Sequence, residues 1–295
     1  MTDFSPPYGE IEDISPHIRR ITANNPAPYT YKGTGTYIIG HGTVAIIDPG
    51  PILSSHIDAI KISLNDEKVS HVLVTHNHKD HSPASRIIAD HFGCGIYAFD
   101  IGDQQFSSEL SEEGIDKDFK PDILMKDGDV VKGDNWTIEA VHTPGHLSNH
   151  LCFALREEKA LFTGDHIMGW STTIVSPPDG NMQDYMDSLE KLIARDDEIY
   201  YPTHGTYIKN PKRFVRNILK HRIVREKTIL KAVNGGIDQI PQMISKIYPK
   251  LAPNLHIAAE RTILAHLIRL INAGEIKCEG EPTVKSNYSI KKPAS

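Results

Sequence analysis

Short apolar runs separated by turn residues fill the first two thirds of this sequence. Val, Ile, Leu and aromatic residues dominate these runs, which are bounded by Gly, Pro, Asn or Asp. Segments of this length and composition are typical of β-strands. We predict strands over residues 36–39, 44–47, 69–74, 95–99, 136–141, 150–155 and 160–163.

Helix-length segments lie between some of these strands. Residues 52–64, 82–91 and 184–195 have apolar positions at helical spacing, and in the last segment Tyr185 and Leu189 share one face. Asp184 is placed to cap the start of that helix. Strands that alternate with helices predict an α/β fold with mixed hairpins and crossovers.

The pattern changes near Pro211, where the strand signal ends. Three helical patterns follow over residues 211–233, 237–247 and 255–273, and Gly274 stops the third before a short strand at 275–278. Three helices that end in a small hairpin are similar to a winged helix. We therefore predict a larger domain over 1–210, a winged-helix-like domain over 211–280 and a loose tail over 281–295.

Composition favours a folded protein that does not span a membrane. The 295 residues are 39% hydrophobic and 24% charged, which is ordinary for globular domains. No run approaches the roughly 20 apolar residues that cross a bilayer, and the first residues lack a signal-peptide pattern, so we expect a cytoplasmic protein. Cys94, Cys152 and Cys278 are odd in number and far apart, which argues against disulfides or a cysteine zinc site.

The net charge of −6 conceals an uneven distribution. Residues 1–210 contain 16 basic and 32 acidic residues, whereas residues 211–280 contain 13 basic and 5 acidic ones. This excess of positive charge indicates either an anionic partner or a solvated face of basic helices, and the sequence leaves both interpretations open.

Four potential metal ligands are crowded into six residues. His76, His78, Asp80 and His81 directly follow the apolar run 72–75. Side chains two residues apart point to the same side of an extended backbone, so His76 and His78 are neighbours, while Asp80 and His81 fall in the following loop. Burying these groups without partners would be costly. The cluster therefore predicts a metal site in which one loop serves two ions.

Three further candidate ligands each follow an apolar strand and precede turn residues. They are His146 in Thr-Pro-Gly-His, Asp165 in Thr-Gly-Asp, and His204 in Pro-Thr-His-Gly. Together with the first cluster, these motifs resemble those of the metallo-β-lactamase-fold hydrolases, whose pattern is HxHxDH, Gly-His, apolar-Gly-Asp and a final Gly-His or Thr-His. The resemblance implies an αββα sandwich, followed here by the winged-helix-like domain.

The resemblance also implies how the ligands are shared. The first metal would be bound by His76, His78 and His146, the second by Asp80, His81 and His204, and Asp165 would bridge the two. A donor set of nitrogen and oxygen suits two zinc ions, with manganese or iron as alternatives.

A metal-bridging hydroxide would then be the nucleophile of a hydrolase. Asp80 would be the catalytic proton acceptor or hydroxide orienter as well as a ligand. Asp48 occupies the early aspartate position of this fold, where it resembles a carboxylate that orients a ligand; it also begins an Asp-Pro-Gly turn, and both roles fit it.

The residue at the bridging position separates subgroups of this fold. Lactamases with an HxHxDH segment normally carry cysteine where this chain has Asp165. The aspartate resembles that of hydroxyacylglutathione hydrolases and ribonuclease Z. We therefore do not expect β-lactams to be the natural substrates.

Similarity to the β-lactamase-like protein 2 family extends over nearly the whole chain, through residues 25–26, 33–37, 126–129, 184–189, 221–222 and 225–226. That family joins the hydrolase domain to a winged-helix-like tail and includes an endoribonuclease that acts on single-stranded RNA. Fungal polyketide thioesterases are similar in the catalytic domain. Gly35 departs from the family, which usually has asparagine there, and the loop at 169–180 is longer than in the animal members.

Three functions follow from these features. The first is hydrolysis of phosphodiester bonds in single-stranded RNA, which the basic C-terminal region favours. The second is hydrolysis of an acyl thioester, ester or lactone, since an acyl carrier is also anionic. The third, nucleic-acid binding without catalysis, would leave an intact ligand set unused. Substrate contacts are predicted at Ser171, Thr172, Thr173, Arg216, Lys220, His221 and Arg222.

Overall fold

A computed structural model describes residues 4–100 and 114–291. The chain divides into two compact units, and each has its own architecture. The sheet unit comprises Met1–Thr143, Asn149–Thr173 and Ala194–Pro211, and the helical unit comprises Pro144–Ser148, Ile174–Ile193 and Lys212–Ser295. The domain limits expected at residues 210 and 280 stay predictions.

The first sheet of the sheet unit has seven strands in chain order. The first four pair antiparallel, and the fourth to the seventh pair parallel. The strands are Ile11–Ser15 (β1), Ile18–Thr22 (β2), Gly35–Ile39 (β3), Thr43–Ile47 (β4), Lys68–Leu73 (β5), Gly95–Phe99 (β6) and Ile123–Met125 (β7).

The second sheet of this unit has six strands. They are Val130–Lys132 (β8), Thr137–His142 (β9), Leu151–Leu155 (β10), Ala160–Gly164 (β11), Ile199–Pro202 (β12) and Ile208–Lys209 (β13). Their order in space is β13-β12-β11-β10-β9-β8. Neighbouring strands are antiparallel except for β11 and β12, which are parallel.

Alternation along the strands builds two apolar layers. Tyr37 and Ile47 of the first sheet pack in one cluster with Phe153 and Phe162 of the second, so the two sheets lie face to face. The alternate positions of the first sheet belong to a separate cluster that contains residues of two helices, Ser54–Ser63 (α1) and Ser85–Phe92 (α2). This arrangement follows from the two-residue period of a strand.

The helical unit contains the other four α-helices of the described residues and a two-stranded hairpin. Ile229, Met243, Ile263 and Tyr288 belong to its buried core. The elements are Met182–Ala194 (α3), Pro211–Asn234 (α4), Ile240–Ile247 (α5), His256–Asn272 (α6), Ile276–Cys278 (β14) and Tyr288–Ile290 (β15). None of the described helices is both long and apolar enough to cross a membrane.

Two details of the predicted elements were wrong. Helix α3 begins before Asp184, and its cap is Asn181, whose side-chain oxygen accepts hydrogen bonds from the amides of Gln183 and Asp184 at 2.8 and 3.2 Å. The C-terminal tail is not loose as far as it is described, because β15 pairs with β14 and Tyr288 is 1% exposed. Residues 292–295 lie outside the described residues.

Candidate metal centre

The predicted ligands of the sheet unit lie where strands end. Residues His76, His78, Asp80 and His81 follow β5, and Asp165 follows β11. His204 lies two residues after β12, which runs parallel to β11. Asp165 and His204 therefore both lie at the carboxyl ends of these neighbouring strands. The five ligand side chains other than Asp80 and His146 are at most 3% exposed, and Asp80 is intermediate.

The side chains form two groups with convergent donor atoms. Within each group, all ligand atoms lie within 4.8 Å of one another. Among the described residues, the first group is His76, His78, His146 and Asp165, and the second is Asp80, His81 and His204.

Hydrogen bonds to backbone carbonyls determine which ring nitrogen of two candidate ligand histidines is free to bind a metal ion. A carbonyl oxygen can only accept, so Nδ1 of His204 donates to Gly33 O at 3.1 Å and Nδ1 of His146 donates to Ile174 O at 2.8 Å. The opposite nitrogen, Nε2, is thereby left to bind a cation in the neutral ring. Such bonds from the second nitrogen are the usual means of orienting metal-binding histidines.

Asp48 accepts several hydrogen bonds from residues in and next to the loop that follows β5. Its backbone φ is 50°, and its carboxylate accepts hydrogen bonds from the amide and hydroxyl of Thr75, both at 2.8 Å. The same carboxylate accepts Nδ1–H of His81 at 2.8 Å and the hydroxyl of Thr203 at 3.2 Å. Because the Thr75 proton goes to Asp48, the Thr75 oxygen accepts Nδ1–H of His76 at 3.0 Å. One buried carboxylate therefore holds residues that adjoin both ligand groups.

The charges of the centre are strongly coupled. Burial alone would raise the pKa of Asp80 and Asp165, but the imidazoles of His81 and His204 hold both carboxyl pKa values well below the usual range. Burial lowers the pKa of both imidazoles, yet the carboxylates raise the pKa of His204 to about 10 and that of His81 well above its ordinary value. Two protons thus compensate two buried anions, and a bound metal cation would displace them.

Unpartnered polar atoms indicate that a cation fits this place. Nε2 of His81 and Oδ1 of Asp165 are buried and have no hydrogen-bond partner among the described residues. They are 3.5 Å apart, a distance too long for a strong hydrogen bond. Nε2 of His76 and Nδ1 of His78 also converge, 2.9 Å apart. Nitrogen and oxygen donors of this kind suit zinc.

Two threonines and His150, a histidine that the resemblance places close to the ligands, complete the support of the candidate ligands. The hydroxyl of Thr34 donates to Oδ2 of Asp80 at 3.3 Å. The amide of Asp165 donates to Nε2 of His150 at 3.2 Å, and Nδ1 of that ring lies 2.9 Å from the hydroxyl of Thr143. Threonines carry no strong metal signal in a sequence, so the roles of Thr34 and Thr143 became visible only in the structure.

The predicted substrate residues divide into exposed and buried ones. Thr173 is 2% exposed, and its hydroxyl proton is shared between the carbonyls of Asp165 and His166. Its contact with substrate stays a prediction. Arg222 is 2% exposed with its guanidinium over the Tyr185 ring, so it does not share an open face with its predicted partners. The exposed members are Ser171, Thr172, Arg216, Lys220 and His221.

Comparisons with known proteins identify the two parts of the chain. Residues 31–204 match the metallo-beta-lactamase superfamily, and residues 240–284 match the beta-lactamase associated winged helix domain. A β-lactamase domain protein from Burkholderia ambifaria superposes with a TM-score of 0.78 at 20% identity, covering 98% of this chain and 96% of that protein.

Two fungal relatives are more similar in sequence. The atrochrysone carboxyl ACP thioesterase dmxR1 of Cryptosporiopsis sp. is 34% identical over 77% of this chain, and the chain spans 66% of its length. The lactamase-like protein adaB of Aspergillus niger is 28% identical over 98% of this chain and 91% of its own length. With the family match covering residues 31–204, the chain belongs to the metallo-β-lactamase superfamily, and it is a hydrolase of that fold with a C-terminal winged helix domain.

Proposed function

We propose that this protein is a metal-dependent thioesterase that hydrolyses an acyl group bound to the phosphopantetheine arm of an acyl carrier protein. The observation that carries the proposal is its similarity to the ACP thioesterase dmxR1 over 77% of the chain, combined with two convergent groups of metal ligands. The RNA hypothesis, which the sequence favoured first, has no support from these relatives.

The residues present fit a pair of divalent cations. His76, His78 and His146 would hold the first, Asp80, His81 and His204 the second, and Asp165 would contribute to both. When bound, two such cations lower the pKa of water and polarise a carbonyl under attack. Addition of water to the thioester carbonyl and cleavage of the carbon–sulfur bond would release a carboxylic acid and the carrier thiol.

The protein's own groups would orient the reactants. Asp80 remains ionised, because His81 and His204 hold its carboxyl pKa low, and an ionised carboxylate accepts a hydrogen bond from attacking water. The Thr34 hydroxyl fixes the direction of that carboxylate. Asp48 would act through Thr75 and His81, keeping the ligand rings in the required tautomers.

A second candidate function is cleavage of single-stranded RNA. Arg216 and Lys220 are exposed on α4, one helical turn apart, within the region where basic residues exceed acidic ones. Such a face binds phosphates through charge. It would bind an acidic carrier protein equally well, so charge alone does not choose between the two substrates.

A substrate screen tests the proposal directly. Zinc-loaded protein is assayed against acyl N-acetylcysteamine thioesters, acyl carrier thioesters, lactones, bis-p-nitrophenyl phosphate and single-stranded RNA. We expect thiol release from the thioesters, and its loss on chelation. Asp165→Asn protein, purified identically, is the matched control for contaminating nucleases. Metal-dependent RNA cleavage that Asp165→Asn abolishes, without any thioester turnover, would replace the proposed function by the second candidate.

A further inference from the structure

A stack of aromatic rings lies beside the candidate metal centre. The rings of Tyr31 and Trp170 are 4.8 Å apart with an interplanar angle of 12°, and Phe4 continues the stack 6.3 Å beyond Tyr31. Both Tyr31 and Trp170 are only partly buried. Tyr31 lies between the other two rings, so Trp170 is the end of the stack on which another flat ring could lie.

Two short backbone segments lie between this stack and His204, one of the candidate metal ligands. Tyr31 is two residues before Gly33, whose carbonyl accepts Nδ1–H of His204. Trp170 lies against Gly205, which directly follows His204: a Cβ at Gly205 would be 3.2 Å from Cδ1 of the indole. Glycine also permits the positive φ of 89° at this position. One ring therefore lies close in sequence to the carbonyl that accepts the His204 hydrogen bond, and the other packs against the residue that follows His204.

The conformation of Tyr31 is unfavourable in isolation. Its φ is 55°, in the left-handed region that bulky side chains rarely adopt. Strained residues of this kind cluster at active sites and ligand clamps, where the surrounding structure maintains them. In this left-handed conformation, the phenol ring of Tyr31 lies flat against the indole of Trp170.

The indole of Trp170 also carries an unused donor. Its Nε1 is buried and has no hydrogen-bond partner within residues 4–100 and 114–291. Buried donors are nearly always paired, so an unpaired one beside a reaction centre points to a ligand that would accept its hydrogen. The strained tyrosine and the unpaired indole donor occur in the same ring pair, beside the same ligand histidine.

We propose that Tyr31 and Trp170 form an aromatic wall that binds the planar acyl group of an aromatic thioester, which makes them specificity-determining residues. The inference rests on the proposed thioesterase function. Through this wall, the enzyme discriminates aromatic acyl groups from aliphatic ones of equal size, because only a planar π-system gains from stacking.

Kinetics on a matched pair of substrates test the wall. The benzoyl and cyclohexanecarbonyl thioesters of N-acetylcysteamine have six-membered rings of similar size. We expect Trp170→Leu to lower kcat/KM for the benzoyl thioester by about 2- to 13-fold, chiefly through KM, with less than about a 2-fold change for the cyclohexyl one. Tyr31→Asn should act in the same direction, since asparagine accepts a left-handed backbone. Tyr8→Leu, at an exposed ring outside the stack, is the control.

A binding measurement separates the wall from catalysis. Calorimetry of the zinc-loaded protein with 2-naphthoate and with decalin-2-carboxylate, aromatic and saturated analogues of a product acid, needs no turnover. We expect naphthoate to bind more tightly to the wild-type protein and to lose that advantage in Trp170→Leu, at an unchanged melting temperature.

The outcomes distinguish the two proposals. Absence of thioester turnover by the wild-type protein would remove the thioesterase function. Turnover with equal losses for both substrates, or with no loss for either, would show that the stack only supports the fold and would overturn the aromatic wall. Equal affinity of naphthoate for wild-type and Trp170→Leu protein would overturn it as well.

Discussion

The Asp48 carboxylate and the His81 imidazole form a fully buried hydrogen bond of 2.8 Å, in which Nδ1 donates to Oδ2. The carboxylate thus determines which nitrogen of His81 remains available to a metal. Asp48 is fully buried, so we expect it to act through His81, Thr75 and Thr203, which donate hydrogen bonds to it.

We therefore expect Asp48→Asn to weaken metal binding by about 10- to 100-fold, because an amide is a poorer acceptor and orients the ring less firmly. Competition with a chromophoric chelator measures this affinity. Asp122→Asn, which breaks an exposed pair with Arg86, is the control for a lost carboxylate. Equal metal affinity in Asp48→Asn and the wild-type protein would contradict the role of Asp48.

Metal content is the second prediction. The two ligand groups should bind close to two ions per chain, and Asp165→Asn should bind fewer, since its carboxylate lies near both His81 and His204. Elemental analysis after gel filtration gives the stoichiometry. Because the metal binds the native state, its removal should lower Tm, and its return should restore the original value. A single ion in the saturated wild-type protein would disprove the dinuclear centre.

Loss of Asp80 should separate chemistry from folding. We expect Asp80→Asn to reduce kcat by about 100-fold or more, as for other residues that handle protons in a reaction. The side chain lies in a loop rather than in the core, so Tm should change little. Turnover and calorimetric melting are measured on the same metal-loaded samples. Undiminished kcat with both metals retained would remove Asp80 from the mechanism.

The fourth prediction concerns pH and the buried His56, which is outside the ligand groups. Burial lowers its pKa to about 4, so the folded protein keeps this ring neutral while the unfolded chain protonates it below its usual pKa of about 6.5. Its contribution to stability is present above pH 6.5 and is lost as pH falls toward 4.

Between pH 7 and 4, the free energy of unfolding should therefore fall by about 3 kcal/mol more in the wild-type protein than in His56→Gln. Urea titrations of both metal-free proteins at several pH values provide the comparison. Parallel stability profiles for the two proteins would show that His56 does not contribute in this way.

The fifth prediction concerns the exposed basic residues Arg216 and Lys220 of α4. Arg216→Ala/Lys220→Ala should bind an acidic carrier protein more weakly and with a smaller dependence on salt, since two charges are lost. Lys246→Ala/Lys250→Ala removes the same exposed charge elsewhere in the helical unit and is the matched control. The same titrations with single-stranded RNA test the second candidate function. Equal losses in both double variants would indicate only a general effect of net charge.

The candidate metal ligands could be identified from the sequence because their chemistry is concentrated in short motifs. His76, His78, Asp80 and His81 occupy one loop after an apolar strand, where burying so many polar groups is costly unless they share a cation. Strands near them were predicted from local composition, since β3, β4 and β6 consist largely of β-branched and aromatic residues.

Elements stabilised by distant partners were not accessible. Strand β2 contains Arg19 and Arg20, which look exposed in the sequence but are buried against Glu67 and Glu12. The pairing of β15 with β14 likewise depends on a register that no local pattern shows. Aspartate and asparagine are both favourable N-cap residues, so residue type alone did not show that the cap of α3 is Asn181 rather than Asp184.

The parallel pairing of β11 with β12 also has a consequence for biogenesis. Asp165 and His204 come together only when this non-local pair has formed, while the loop after β5 comes from the opposite sheet. Pairings between distant segments are slow to form, so a nascent chain cannot assemble the ion-binding pocket early. The full set of candidate ligands would therefore be available to ions only after both sheets have folded, and a truncated chain that lacks β12 would not offer it.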